Sequence, residues 1–167
     1  FEVLQGYEAL QEQATAANRC DLLAEKLEDC GRIAEISRRR ERLFDIRESD
    51  YDEQIVKLGE QFAPYRRLWA HARGYFDRIH VWMKGPLAEI DRDQLTKDIT
   101  ETSAELTKLG KVDFKERRAI AQVAFDLRKL YDSFRPYLPL VCALRSPHLK
   151  TRHWVSIVDL RTPPLEV

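Results

Sequence analysis

The four histidines are the side chains of this 167-residue chain best suited to bind a metal ion. His71 and His80 are nine residues apart, which places them on different faces of a helix, and His148 and His153 belong to a different region. A metal site needs histidine or cysteine ligands at close, matched spacings. The sequence therefore predicts no metal site.

The cysteines are the candidate nucleophiles. Cys142 lies near His148 and His153 in the sequence, and a nearby base is what activates a thiol. However, a cysteine between two small apolar residues, Val141 and Ala143, is typical of a packed core, so we interpret Cys142 as a core residue. With Cys20 and Cys30 the chain has three cysteines, too few for a disulfide framework, which indicates a reducing compartment.

Nucleotide binding would require a glycine-rich loop between a strand and a helix. The six glycines are instead isolated from one another. We therefore expect no catalytic and no cofactor-binding residue in this chain. The six positions are Gly6, Gly31, Gly59, Gly74, Gly85 and Gly110.

The charge balance argues against two classes of ligand. The 28 basic and 28 acidic residues give a net charge of zero, so there is no electrostatic footprint for nucleic acid or for an anionic membrane surface. No apolar run approaches the roughly 18 residues that span a bilayer. The start at Phe1 and the proline-containing tail 162–167 lead us to expect a piece of a longer protein.

A first helix is predicted from about residue 4 to Phe44, with Cys20, Leu23, Leu27, Cys30 and Ala34 along one narrow face. Its partner is either another helix with small residues or a segment outside this chain. Near its end stand four arginines, which we interpret as the solvated side of a helix end, with a contact patch as the alternative. They are Arg38, Arg39, Arg40 and Arg42.

The second helix has the most regular pattern. Asp50 and Glu53 form a capping-box pattern, and ten apolar positions then follow in alternating steps of four and three residues. Pro64 predicts a kink or a break near Phe62, and Gly85 with Pro86 predicts the end of the helix. The ten positions are Tyr51, Ile55, Leu58, Phe62, Tyr65, Trp69, Ala72, Phe76, Ile79 and Met83.

Shorter helices are predicted downstream. Asp91 with Gln94 caps one that ends before Gly110, and Asp113 with Glu116 opens another that Pro136 stops. Ser146 is the predicted N-cap of a final short helix with Pro147 at its first position. The predicted core positions are Leu95, Ile99, Thr102, Leu106 and Leu109, and then Ile120, Val123, Leu127, Leu130 and Phe134.

The three tryptophans are candidates either for the core or for an interface. Trp69 lies on the apolar seam of the second helix and Trp82 lies beside it, so we interpret both as core residues. Trp154 follows Arg152 and His153 in a proline-dense region, where a core role and interdomain docking are equally open.

These patterns predict an all-α fold built as an elongated array of antiparallel helices. We expect three parts: residues 1–48 as a long helix and its connection, residues 49–135 as an antiparallel bundle, and residues 136–167 as a proline-rich turn with short helices.

The stretch from Pro139 through Pro147, followed by Arg152, His153 and Trp154, resembles the linker region near the N-terminus of dynein heavy chains. Leu43-Phe44 and Trp82-Met83 are similar to axonemal members. The resemblance covers roughly residues 33–158. Residues 69, 82, 139, 147 and 152–154 transfer as structural landmarks, and no catalytic residue transfers.

The resemblance implies a force-transmitting segment of a minus-end-directed microtubule motor in the ciliary or flagellar axoneme. It implies that ATP and Mg²⁺ bind to a downstream ATPase ring, which would be the main partner of this segment, with light or intermediate chains as further partners. Microtubule contact would occur only through downstream parts. The alternatives are a spectrin-like helical scaffold, or the same region of a cytoplasmic or intraflagellar dynein.

Overall fold

The computed structural model describes residues 10–47, 49, 51–146 and 148–159. Within these ranges every regular element is helical and no strand occurs, which confirms the all-α prediction. The α-helices are α1 (Gln13–Leu43), α2 (Asp52–Lys84), α3 (Arg92–Lys108), α4 (Arg118–Phe134), α5 (Leu138–Leu144) and α6 (Thr151–Asp159).

Helices α1 and α2 form an antiparallel pair. Arg73 Nη2 lies 2.9 Å from Asp21 Oδ2, and Arg38 Nη2 lies 2.6 Å from Asp52 Oδ1 at the other end of the pair. Small side chains on α1 permit close approach of the two backbones. The first half of α1 therefore finds its partner within this chain. The small buried residues are Ala16, Ala17, Cys20, Ala24 and Ala34.

The exposed fractions correct the predicted face of α1 at one position. Cys20 and Ala34 are buried, as predicted, and Leu23 packs against the core, but Cys30 is exposed. Cys30 instead lines a groove between α1 and α2 together with Leu27 and Leu58. The apolar face of α1 is therefore only partly covered.

Helix α2 runs without interruption from Asp52 to Lys84 and includes Pro64. Of the predicted kink or break near Phe62, the break is therefore wrong: a proline costs one ladder hydrogen bond, but the helix continues through it. The kink stays a prediction. Asp50 of the predicted capping box lies outside the described residues. The end at Gly85 and Pro86 is confirmed.

The buried face of α2 differs from the predicted seam. Phe62, Tyr65, Trp69 and Ala72 are buried as predicted. Four predicted seam residues are instead exposed: Tyr51 at 53%, Leu58 at 43%, Phe76 at 37% and Met83 at 61%. Leu68 and Tyr75 are buried and Trp82 packs against the core, and each lies one position before a residue of the predicted seam. The buried face of α2 is therefore broader than a single seam.

Helix α3 agrees with its prediction. Asp91 Oδ1 accepts hydrogen bonds from the backbone N–H groups of Asp93 at 2.9 Å and Gln94 at 3.1 Å. This caps the helix N-terminus as expected. All five predicted core positions of α3 are buried: Leu95, Ile99, Thr102, Leu106 and Leu109.

The connection from α3 to α4 differs from the prediction. Instead of stopping before Gly110, the chain continues as a π-helical turn, Leu109–Asp113, and the N–H of Phe114 donates to the carbonyl of Leu109 at 2.9 Å. Asp113 therefore does not cap the next helix, since α4 begins at Arg118 without a side-chain cap. Buried Phe114 stabilises this wider turn instead.

Helix α4 buries its predicted positions Ile120, Val123, Leu127 and Phe134, and Leu130 packs partly buried against the core. The helix ends at Phe134, and Pro136 lies in a 3₁₀ turn, Arg135–Tyr137, that leads into α5. The predicted stop at Pro136 is confirmed.

The last predicted helix begins later than expected. The carbonyl of Ser146 accepts from the N–H of Leu149 at 3.0 Å in a turn, and α6 begins only at Thr151. Ser146 is therefore not its N-cap. Pro147 lies outside the described residues, as do residues 1–9 and 160–167.

Replacing either of two helical glycines by alanine is expected to change the stability of the fold, in opposite directions at the two positions. A methyl group on Gly110 would come within 2.9 Å of the Phe125 ring, whereas one on Gly31 would meet nothing within 4 Å. Gly110→Ala is expected to lower the free energy of unfolding by about 1 to 3 kcal/mol. Gly31→Ala is expected to raise it by about 0.5 to 1 kcal/mol. Urea unfolding measures both, and equal effects would contradict the close approach at Gly110.

Candidate functional site

An aromatic cluster joins the end of α2 to the end of α4. We define it as Tyr75, Trp82, Tyr131, Phe134 and Tyr137. The ring centroids of Tyr75 and Tyr131 are 4.9 Å apart, those of Trp82 and Phe134 are 5.6 Å apart, and those of Phe134 and Tyr137 are 5.9 Å apart. These tilted and edge-on pairs are favourable aromatic geometries. The cluster therefore couples two helices and the turn that follows α4.

Polar contacts secure the same junction. Arg78 pairs with Asp98 of α3, and its guanidinium lies 5.5 Å from the centre of the Trp82 ring. The hydroxyl of Tyr131 donates to the carbonyl of His71 at 3.1 Å. Because Tyr131 is fully buried, this hydrogen bond satisfies a polar group that would otherwise be costly inside the core.

His71 takes part with Arg67 in a group of polar contacts around Glu105, between α2 and α3. His71 Nε2 lies 2.8 Å from Glu105 Oε2, and Arg67 Nη1 lies 3.4 Å from Glu105 Oε1. These side chains are partly exposed, so the pairs contribute modestly to stability. Within the described ranges no group of histidine, cysteine and acidic side chains is arranged to hold a metal ion.

Helix α5 is attached to the base of the bundle. Val141 is buried, and the thiol of Cys142 lies 3.9 Å from the hydroxyl oxygen of Thr96 on α3. Arg145 Nε donates to the carbonyl of Ile90 at 3.0 Å, which links the end of α5 to the loop before α3. Cys142 is half-buried against α3, a position that supports the packing interpretation rather than a nucleophile.

The seven landmark residues do not form a single site. Trp69 is fully buried in the middle of α2, Trp82 is half-buried in the aromatic cluster, and Pro139 lies exposed in the first turn of α5. Pro147 lies outside the described residues. Their role as landmarks remains a prediction.

Arg152, His153 and Trp154 lie in the first turns of α6. His153 Nδ1 accepts from the backbone N–H of Lys150 at 3.1 Å, and Arg152 Nε lies 3.2 Å from the other ring nitrogen. Trp154 is 37% exposed, and it is not among the described side chains that pack on the core. Of the two roles considered for Trp154, the exposed ring does not support the core role, and interdomain docking stays a prediction.

Burial raises the pKa values of three core groups, Cys20, Tyr75 and Tyr131, and the increase reaches a large value at Cys20 and Tyr131. Burial raises the pKa of the Cys20 thiol to about 11, with a further increase from the negative charge of Asp21. Burial also raises the pKa of the Tyr131 hydroxyl to about 12. In both cases the charged form is disfavoured in the folded protein. These groups are therefore neutral parts of the core at neutral pH.

Alkaline pH is expected to destabilise the fold, because the unfolded chain releases these protons at lower pH than the folded chain does. Below pH 9, the raised pKa of Cys20 contributes about 2 kcal/mol to the free energy of unfolding, and this contribution is lost between about pH 9 and pH 11. In urea unfolding at pH 8 and pH 11, Cys20→Ala should reduce this loss. Cys30→Ala, at an exposed position, is the matched control, and an equal reduction in both variants would contradict the assignment.

None of the helices in the described part of the chain has the length and apolar composition needed to cross a membrane.

Comparison with known proteins identifies the family. The model of the family described as dynein heavy chain, N-terminal region 2, matches residues 55–164. Dynein axonemal heavy chain 1 of Rattus norvegicus is 35% identical over 155 residues, which is 91% of this chain and 3% of the relative. The Homo sapiens protein of the same name is 34% identical over 141 residues, 84% of this chain and 3% of the relative.

A more distant relative is dynein axonemal heavy chain 3 of Homo sapiens, 26% identical over 126 residues, covering 75% of this chain and 3% of the relative. This chain thus spans only about 3% of the length of these relatives. No solved structure matches it. With a family model that covers most of the helical bundle and one-third identity to two axonemal heavy chains, this chain belongs to the dynein heavy chain family.

Proposed function

We propose that this chain transmits force within an axonemal dynein heavy chain, as a stiff helical segment between the tail and the linker. The observation that supports the proposal is the length and continuity of α2. Its 33 residues form one helix about 50 Å long, and its middle third is held by buried contacts to α1 on one side and to the α3–α4 pair on the other. A helix supported on two sides resists bending and can carry load along its axis.

The aromatic cluster gives this segment a fixed connection to the elements that follow. Load that arrives along α2 passes through Trp82 and Phe134 into the turn before α5, and Arg145 holds the end of α5 to the carbonyl of Ile90. The segment itself contributes no chemistry in this proposal. ATP, Mg²⁺ and microtubules bind to other parts of the heavy chain, and the partners of this segment are the rest of the heavy chain together with light or intermediate chains.

The proposal is tested in the assembled motor with a pair of neighbouring substitutions. Trp82→Ala loosens the aromatic cluster, whereas Met83→Ala removes a side chain that is 61% exposed. We expect Trp82→Ala to slow microtubule gliding several-fold while basal ATP turnover stays near the wild-type rate, because the ATPase site is elsewhere. Met83→Ala should change neither rate.

Two outcomes would contradict force transmission through this junction. If Trp82→Ala lowered gliding and ATP turnover equally, the substitution would act on assembly or on the ATPase cycle. If it lowered neither, the segment would be a passive helical scaffold. Circular dichroism of the isolated Trp82→Ala chain at the assay temperature verifies that it remains helical.

A further inference from the structure

The outward face of the second half of α1 exposes apolar side chains. Ile33, Ile36 and Leu43 are 63%, 52% and 79% exposed, and Phe44, which follows the helix, is 70% exposed. Together with Arg40 they recur at steps of three and four residues, so they share one face of the helix. The opposite face carries buried Ala34 and packs on α2. More than half of the surface of each of these isoleucines and of the leucine is therefore left uncovered by the described bundle.

Two exposed arginines, Arg39 and Arg40, lie in and beside this apolar face. Neighbouring Arg32 pairs with Asp29, and Arg38 pairs with Asp52. Across the described ranges, Arg39 and Arg40 form no ion pair, and both are exposed. Near them a shallow cavity of about 480 Å³ opens on the flank of the helix, lined by Glu35, Arg38, Arg39, Arg42 and Leu43.

This combination of charge and apolar surface selects the partner. We infer that the face of α1 from Ile33 to Phe44 binds an acidic amphipathic helix. The apolar residues of that helix pack on Ile36 and Leu43 at the same three- and four-residue steps. Its carboxylates pair with Arg39, next to the cavity, and with Arg40. The inference goes beyond force transmission and does not depend on it.

Charge and spacing also argue against other binding partners for this face of α1: a second copy of this chain, an anionic lipid surface and nucleic acid. In a symmetric contact between two copies of this chain, Arg39 and Arg40 would face the same arginines of the partner copy, and like charges in contact are unfavourable. An anionic lipid surface or nucleic acid would engage the arginines but would leave the specific spacing of Ile36 and Leu43 unused. The complementary surface is therefore a helix that carries both carboxylates and an apolar stripe.

A charge-swap experiment tests this inference on the 167-residue chain. The probes are two synthetic amphipathic helices, one of leucine and glutamate and one of leucine and lysine. By calorimetry, the wild-type chain should bind the glutamate helix saturably, and the double variant R39E/R40E should bind it at least about tenfold more weakly. The double variant should instead bind the lysine helix. R118E/R152E, at two other exposed arginines, is the matched control and should bind like the wild type.

The apolar part is tested with I36A/L43A, which should also weaken binding of the glutamate helix at least about tenfold. Both variants change exposed residues, and their helix content is verified by circular dichroism. Absence of binding by the wild type, or equal binding by R39E/R40E, would overturn the inference. So would dimerisation of the wild type that I36A/L43A abolishes, or a stronger affinity for phosphatidylserine vesicles than for the glutamate helix.

Discussion

Trp69→Ala is expected to lower the free energy of unfolding by about 3 to 5 kcal/mol, because it removes a fully buried indole ring from the middle of α2. The cavity would lie beside the middle of α2, where Tyr65 and Leu68 are also buried. Neighbouring backbone cannot collapse into it without shifting a helix. Urea unfolding followed by circular dichroism measures the loss.

Phe76→Ala is the matched control in the same helix. The Phe76 side chain is 37% exposed and lies one position from the inward-facing Tyr75. Its replacement should cost less than about 1 kcal/mol beyond the change in helix propensity. If Phe76→Ala were as destabilising as Trp69→Ala, the strict four-and-three seam would describe the core better than the observed buried face does.

Phe114→Ala is expected to produce a loss of similar size, about 3 to 5 kcal/mol. Phe114 is 1% exposed, and its ring meets the Tyr65 ring edge-on with centroids 5.1 Å apart. The Arg117 guanidinium lies 5.4 Å from the centre of the same Tyr65 ring. Phe114 therefore fixes the π-helical turn against α2, and its removal should loosen the connection between α3 and α4.

Val112→Ala, in the same turn, is the control, because Val112 is 64% exposed. It should leave the free energy of unfolding within about 0.5 kcal/mol of the wild-type value. Comparable losses at positions 112 and 114 would mean that the turn is sensitive as a whole and that Phe114 has no special anchoring role.

Local sequence signals predicted those parts of the fold that depend on local chemistry. The Asp91 cap, the end of α2 at Gly85 and the buried positions of α3 all follow from capping geometry and from a short amphipathic repeat. Over such lengths a helix does not drift far from a regular seam. These features could therefore be predicted from the residues alone.

Other features depend on tertiary contacts and were missed. The continuity of α2 through Pro64 comes from packing on both sides of that helix. Position 110 needs a glycine because the Phe125 ring approaches it closely, and this glycine does not mark the end of a helix. The burial of Tyr75 in place of Phe76 depends on the rings of α4 that pack against it, such as Tyr131, and these are distant in the sequence. In the candidate site, Trp82 was assigned correctly, but the hydrogen bond from Arg145 to Ile90 joins residues 55 positions apart and has no local signature.

The central claim is that α2 is one stiff helix that passes through Pro64 without a break. It is tested most directly by the distance between spin labels placed at the exposed positions Val56 and Met83, in a background where all three cysteines are replaced by alanine. A continuous helix predicts one narrow distribution with the two backbone positions about 40 Å apart. A broad distribution, or a clearly shorter distance, would contradict the claim by revealing a hinge at Pro64.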